Sequence, residues 1–113
     1  MKTVCVPKNS RAQIDLDFDQ VRQDELIEIK LDDATVDKLW KSDFIPSINR
    51  MIGSNIDNYE DERITDINQL IQISNSYLFD KQRYDNELYQ VIDNIHSLFD
   101  KAITFKTGVY FFF

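Results

Sequence analysis

The stretch that decides the fold is Gly108-Val109-Tyr110-Phe111-Phe112-Phe113. Its β-branched and aromatic residues favour a β-strand. Side chains alternate between the two faces of a strand, so Val109, Phe111 and Phe113 share one face and the two residues between them share the other. Both faces are apolar, which is typical of a strand in the middle of a sheet with other elements packed on each side. The sequence therefore predicts a central strand here.

Two earlier segments alternate between apolar and polar residues, as half-buried strands do. In residues 14–19, the three apolar side chains are predicted to face the core and the three aspartates the solvent. Residues 26–31 alternate in the same way, and a short polar link separates the two segments. This arrangement predicts an antiparallel hairpin. Residues 3–6, which end at Pro7, are predicted to form a further short strand.

Apolar residues recur at helical spacing between the second alternating segment and the C-terminal strand. Asp32 or Asp33 is predicted to cap the first helix, which begins near Ala34. A break at Ser42 and Asp43 starts a second helix. The third is predicted to open with the acidic run at 59–62, because acids in a first turn suit the helix dipole. The last helix carries an apolar stripe over residues 88–103.

The order of the elements determines the predicted fold class. Strands that precede the helices, and one strand that follows them, indicate an α+β fold. We expect a three- to four-stranded, mainly antiparallel sheet with the C-terminal strand central, packed against three to four helices. By its length of 113 residues, the chain is expected to be a single globular domain over residues 1–113.

The chain is acidic, with 20 acidic and 13 basic residues and a net charge of -7. Such a charge repels nucleic acid and anionic membranes and attracts basic partners. The single cysteine permits no intramolecular disulfide. No apolar run reaches the roughly 18–20 residues of a membrane span, and the N-terminal residues do not resemble a signal peptide. A cytoplasmic protein that binds neither nucleic acid nor membranes is expected.

Few residues are candidates for catalysis. A lone helical histidine such as His96 is usually a surface residue or a hydrogen-bonded partner. Cys5 has no nearby charge cluster or helix N-terminus in the sequence to activate it. Asp15-x-Asp17-x-Asp19 begins like an EF-hand calcium loop, but Gln20 and Leu26 stand where that loop needs glycine and glutamate. No metal, cofactor or catalytic residue is therefore predicted.

Two acidic clusters are the predicted partner-binding residues. On a strand, alternate carboxylates would lie about 6.5–7 Å apart, close to the spacing of phosphates along a nucleic-acid strand. A tyrosine among acids is typical of an interface anchor. Two other interpretations remain open: the aspartates guard an edge strand against aggregation, or the acids cap a helix. The clusters are Asp15, Asp17 and Asp19, and Asp57, Tyr59, Glu60, Asp61 and Glu62.

The chain resembles the immunity proteins of bacterial contact-dependent growth inhibition and related polymorphic toxin systems. The resemblance lies in the small acidic α+β domain, in the strand-to-helix step Ile-Glu-Ile-Lys-Leu-Asp-Asp at 27–33, and in the closing strand at 108–113. It implies a cytoplasmic protein without catalytic activity that binds a cognate toxin domain. Such toxins are often basic nucleases, and the immunity protein blocks the active site or substrate groove.

Three functional hypotheses follow. The first is a monomer or weak dimer that neutralises a basic toxin domain through its acidic surface. The second is an acidic mimic of nucleic acid that inhibits a defence nuclease, which requires the carboxylates to form one extended band. The third is a small hydrolase that uses carboxylates and a divalent metal.

Overall fold

The computed structural model describes residues 2–57 and 60–113. Within these residues the chain forms four strands, β1 (Lys2–Pro7), β2 (Leu26–Leu31), β3 (Glu62–Ile64) and β4 (Val109–Phe112). It also forms five α-helices, α1 (Ser10–Asp17), α2 (Asp33–Lys41), α3 (Phe44–Ile52), α4 (Ile67–Ser74) and α5 (Tyr89–Phe105). Single turns of 3-10 helix occupy residues 23–25, 77–79, 81–83 and 86–88.

The four strands form one antiparallel sheet in the order β2-β1-β4-β3. The α+β class and the central position of the C-terminal strand are confirmed. Val109 and Phe111 are buried on one face, where the ring of Phe111 lies 6.5 Å from that of Phe99 in α5. On the other face, the Tyr110 hydroxyl contacts Gln13 of α1. Helices therefore cover both faces of β4, as its two apolar faces predict.

Close packing explains the glycine before β4. A Cβ atom on Gly108 would lie 2.7 Å from the backbone oxygen of Ile64, at the end of β3. Any other residue would push the two strands apart where β4 begins to pair with β3.

The predicted strand at 14–19 is wrong. Residues 10–17 form α1, which begins where the Asn9 side chain accepts a hydrogen bond of 2.8 Å from the Ala12 backbone N–H. Ala12 is fully buried, whereas Ile14 and Phe18, which were predicted to face the core, are 53% and 72% exposed. An alternation of only six residues does not exclude a helix, and aspartate is a poor strand former. The Asn9 cap and the packing of Ala12 therefore decide the conformation.

The predicted hairpin is wrong for the same reason. β2 pairs with β1 from Lys2 opposite Leu31 to Pro7 opposite Leu26, and α1 lies in the connection between the two strands. The strands at 3–6 and 26–31 are themselves confirmed. An antiparallel neighbour is therefore correct for β2, but its partner is the N-terminal strand.

The predicted start of α2 is confirmed, since Asp32 accepts a hydrogen bond of 2.8 Å from the Thr35 N–H. The break before α3 is confirmed too, although Asp43 adopts a left-handed conformation instead of capping the helix with its side chain. The prediction that 59–62 opens a helix is wrong at Glu62, which begins β3. The cap of α4 is Asp66.

Cys5 lies at the centre of the sheet, fully buried and opposite Glu28 of β2. Burial raises the pKa of this thiol from 9.0 to about 12, and the negative charge of Glu28 adds to the increase. A thiol with this pKa carries no thiolate at neutral pH, so Cys5 lacks the property that makes a cysteine a nucleophile.

We expect Cys5 to make the protein less stable as the pH rises from about 9 to about 12. In that range the unfolded chain has lost the thiol proton while the folded chain retains it, so the free energy of unfolding falls by up to about 1.4 kcal/mol per pH unit. Below pH 9 both states are protonated and the thiol causes no loss. Urea unfolding at several pH values should show a shallower decline for Cys5→Ala, and equal slopes would contradict this prediction.

Among the residues described, no helix is both long and apolar enough to cross a membrane.

A candidate acidic partner-binding groove

A groove of about 500 Å³ lies between the C-terminal end of α1 and β3, with β4 at its base. Both acidic segments reach it: Asp17 and Asp19 come from the first, and Asp61 and Glu62 from the second. The pairing of Glu62 with Phe111 places β3 beside β4, and α1 lies across the same face. We call this feature the acidic groove. Its lining residues are Leu16, Asp17, Asp19, Asp61, Glu62, Arg63, Tyr110 and Phe112.

Asp17 is held in place by two neighbours in the groove. Its Oδ1 atom lies 2.7 Å from Nη1 of Arg63 and accepts a hydrogen bond of 3.1 Å from the Tyr110 hydroxyl. Nε2 of Gln13 donates to the same hydroxyl at 3.3 Å. Burial raises the pKa of Tyr110, so this hydroxyl stays protonated and continues to donate. Asp17 therefore joins α1 to the sheet.

Glu62 is also engaged by the protein itself. Its Oε2 accepts from the backbone N–H of Asn55 at 2.9 Å, and its Oε1 accepts from the backbone N–H of Arg63 at 2.9 Å. The side-chain carboxylates of Asp19 and Asp61, by contrast, make no hydrogen bond or ion pair with any residue that the structure describes. These two exposed carboxylates are the groups in the groove that are available to a partner.

Asp19 stands where local energetics disfavour it. It adopts a left-handed conformation with φ of 56°, immediately after α1. The Asp19 N–H donates to the Leu16 oxygen at 3.0 Å and the Gln20 N–H to the Asp15 oxygen at 2.7 Å, a helix-ending motif that usually contains glycine. A negative charge at a helix C-terminus also opposes the helix dipole. Residues that break local rules in this way often mark functional sites.

We expect Asp19→Gly to stabilise the protein, raising the free energy of unfolding by about 0.5–1 kcal/mol. The gain comes from relieving the left-handed conformation and removing the unfavourable charge. Asp15→Gly is the matched control, because the same change inside α1 should lower stability by a similar amount. Urea denaturation at pH 7 measures both, and a loss of stability in Asp19→Gly would contradict the interpretation.

Two exposed apolar side chains come from the same segment as the groove residues of α1: Ile14 within the helix and Phe18 directly after its last residue. Ile14 and Phe18 are one helical turn apart and therefore on the same side of the helix. Aromatic residues of this kind supply much of the energy of protein interfaces when a partner buries them. Phe18 stands between Asp17 and Asp19 in the sequence, although neither Phe18 nor Ile14 lines the groove itself.

The other predicted site residues do not line the groove. Asp15 pairs with Arg11 at 3.4 Å on α1, and Asp57 accepts a hydrogen bond of 2.9 Å from the Glu60 N–H. Tyr59 lies outside the described residues. The expected row of Asp15, Asp17 and Asp19 along one face is wrong. Asp15 and Asp17 are two residues apart in α1 and so are separated by a rotation of about 200° around the helix axis, and Asp19 lies beyond the end of the helix.

A serine, a histidine and an aspartate meet between α4 and α5. Nε2 of His96 lies 3.1 Å from the Ser74 carbonyl and 3.2 Å from its Oγ, while Oγ donates to Oδ1 of Asp100 at 2.5 Å. In a nucleophilic relay, the carboxylate orients the far ring nitrogen and the hydroxyl donates to the near one. Here the Asp100 carboxylate accepts the hydrogen bond of the Ser74 hydroxyl instead, so this hydroxyl does not donate to the histidine. The His96 ring also stacks on Phe79 at 4.1 Å, so this cluster joins elements of the core.

Metal binding has no evident site among residues 2–57 and 60–113. No group of three His, Cys, Asp or Glu side chains in this part of the chain is arranged to hold an ion.

The fold and the groove define the class: an α+β domain with an acidic surface groove and two exposed apolar side chains on the segment that forms one side of it. No protein-family model, curated protein or solved structure matches the chain.

Sequence reasoning missed the groove residues that are not acidic. Arg63 and Tyr110 were not recognised because their role depends on the contact between α1 and the sheet. Ile14 and Phe18 were assigned to the core. One signal was available, since Asn9 is a strong helix cap and stands just before the segment that forms α1.

Proposed function

We propose that the chain binds and neutralises a basic protein toxin domain, in the manner of an immunity protein, and we infer that this toxin domain is a nuclease. The binding surface is the acidic groove together with Ile14 and Phe18. The chain itself performs no catalysis. We also propose that the protein is located in the cytoplasm.

One observation carries the proposal: the fold brings two acidic segments, more than 40 residues apart, to one groove. The exposed Phe18 lies between two of its lining residues, Asp17 and Asp19, in the sequence. The groove contains four carboxylates and one guanidinium, Arg63, so its formal charge is -3 (four negative charges and one positive). Partial neutralisation of Asp17 by Arg63 leaves Asp19 and Asp61 facing solvent. A surface like this is complementary to lysine and arginine side chains.

The two parts of the surface have different physical roles in binding. The net charge of -7 and the groove carboxylates attract a basic domain from a distance and raise its association rate. Phe18 is then buried against the partner and slows dissociation, as aromatic anchors do. A nuclease keeps basic residues in its substrate groove, and carboxylates placed there exclude the phosphates of its substrate.

The hypothesis of an extended nucleic-acid mimic has no comparable support. Its basis was the row of aspartates on a strand, and that segment is a helix. The groove also holds Arg63 among its carboxylates, which interrupts the continuous negative band that such a mimic requires.

The proposal predicts a gene for a toxin-like domain next to the gene for this chain, and the test is co-expression of the two. We expect the cells to survive and the two proteins to co-purify as a stable complex in low salt. The matched variants are Asp19→Lys/Asp61→Lys in the groove and Asp33→Lys/Asp85→Lys away from it. Survival that depends on neither pair, or a toxic domain that does not co-purify with the chain, would contradict the proposal.

A further inference from the structure

β2 is an edge strand whose outer side is unpaired. Within residues 2–57 and 60–113, it forms a ladder on one side only, with β1. Edge strands of this length are ready to pair with a further strand unless something blocks them. The opposite edge, β3, is only three residues long.

The ladder with β1 shows which backbone groups face outward. Lys8 N–H donates to the Glu25 oxygen at 2.9 Å, in the same register as the rest of the ladder. Hydrogen-bonded and non-hydrogen-bonded pairs alternate along an antiparallel ladder. Leu26, which stands opposite Pro7, is therefore a non-hydrogen-bonded position, as the missing N–H of proline requires. The groups that point outward are the N–H and C=O of Leu26, Glu28 and Lys30.

We propose that β2 pairs with β2 of a second copy of this chain, in an antiparallel dimer whose two-fold axis passes through Ile29. Two-fold pairing must place outward groups opposite outward groups, so the axis has to pass through a residue and not between residues. With the axis at Ile29, Glu28 of each copy stands opposite Lys30 of the other and exchanges backbone hydrogen bonds with it.

The charges select this register. An axis at Glu28 or at Lys30 would place like charges opposite each other, which is unfavourable on neighbouring strands. An axis at Ile27 would place Glu28 opposite Leu26 and form no pair of opposite charges within β2. An axis at Ile29 makes two Glu28–Lys30 pairs on one face. On the other face it places Ile29 against its symmetry mate. Ile27 and Ile29 are only half-buried in the single copy, so pairing covers apolar surface that remains at the edge.

A groove borders β2 on the face of the sheet that α2 and α5 cover. This groove of about 310 Å³ lies between β2 and the helices on that face, lined in part by Thr35 of α2 and Val91 of α5. The acidic groove lies at the other edge of the sheet, beside β3 and β4. A dimer through β2 therefore presents two acidic grooves at its far ends. The dimer proposal does not depend on the proposed function.

Charge-reversal variants test the dimer directly. By analytical ultracentrifugation from about 10 μM to about 1 mM, the wild type should pass from monomer to dimer. Lys30→Glu or Glu28→Lys alone should weaken dimerisation by about 10- to 100-fold, because each places like charges opposite each other. Mixing the two variants should restore association as a heterodimer, and the double swap E28K/K30E should dimerise with itself. Lys101→Glu, an exposed change far along α5, should dimerise like the wild type.

Disulfide cross-linking of introduced cysteines tests the register of the two β2 strands in the proposed dimer. Across the axis, the Cα atoms at position 29 should lie about 4.5 Å apart, within the range of about 4.4–6.8 Å that a disulfide spans. Mild oxidation should therefore cross-link Ile29→Cys but not Lys30→Cys, whose symmetry mates lie beyond about 7 Å. A wild type that stays monomeric throughout, or a mixture of the two charge variants that does not associate, would overturn the proposal.

Discussion

Phe111→Ala is expected to lower the free energy of unfolding by about 3–5 kcal/mol, a large part of the about 5–15 kcal/mol that a domain of this kind possesses. Phe111 is 1% exposed at the centre of β4, and its ring lies 6.5 Å from Phe99 and 5.7 Å from Phe113. Removing it leaves a cavity between the sheet and α5. Because β4 pairs with both β1 and β3, the surrounding structure cannot easily collapse into that space.

Urea denaturation followed by circular dichroism measures this loss. The matched control is Phe18→Ala, which removes an equally large ring from a site that is 72% exposed. We expect this control to change stability by less than about 0.5 kcal/mol. A loss below about 1 kcal/mol in Phe111→Ala, or equal losses in both variants, would show that β4 is not the organising strand.

The second large effect is expected at the acidic groove. Asp19→Lys/Asp61→Lys should slow association with the basic toxin domain by about 10- to 100-fold in about 10 mM salt, where the Debye length is about 30 Å. The carboxylates of Asp19 and Asp61 have no partner among the described residues, so their reversal should alter the electrostatic field without breaking a contact inside the protein. The fold should remain intact.

The matched control separates local from global charge. Asp33→Lys/Asp85→Lys changes the formal net charge from -7 to -3, as the groove variant does, since each reversal adds two charges. Asp85 is exposed beside Lys38 and Lys41 of α2, away from the acidic groove, and its side chain does not cap the following helical turn. We expect this control to slow association only about two- to threefold. Stopped-flow measurements over a range of salt concentrations would contradict the groove assignment if both variants slowed association equally.

The parts of the fold that sequence predicts are those in which local preference and burial agree. Residues 109–112 are apolar on both faces and strongly strand-forming, so a central strand was the only arrangement that buries them. Asp32 and the apolar spacing after it likewise point to one helix start. Each of these signals is contained within a few consecutive residues.

The strand prediction for residues 14–19 is wrong because so short an alternating pattern is compatible with either a strand or a helix. Ile14, Leu16 and Phe18 alternate with aspartates, and this period matches a half-buried strand if all three are buried. In the structure Leu16 lines the acidic groove while Ile14 and Phe18 face solvent. The apolar side chains that misled the prediction are the exposed ones.

The groove itself depends on contacts that no local pattern contains. Asp19 and Asp61 line the same groove because β3 pairs with β4 and α1 crosses the same face. These elements are far apart in sequence. Sequence identified both acidic segments separately. That they form one surface follows only from the topology of the sheet.

The most direct measurement of the central claim is the change in backbone amide NMR signals of this chain as the basic toxin domain is added. We predict that the largest changes fall at residues 16–19, 60–63 and 110–112, with the signal of Phe18 among the most affected. The amides of β2 and α2 should remain unchanged. Changes confined to those elements, with the signals of the groove unaffected, would contradict the account.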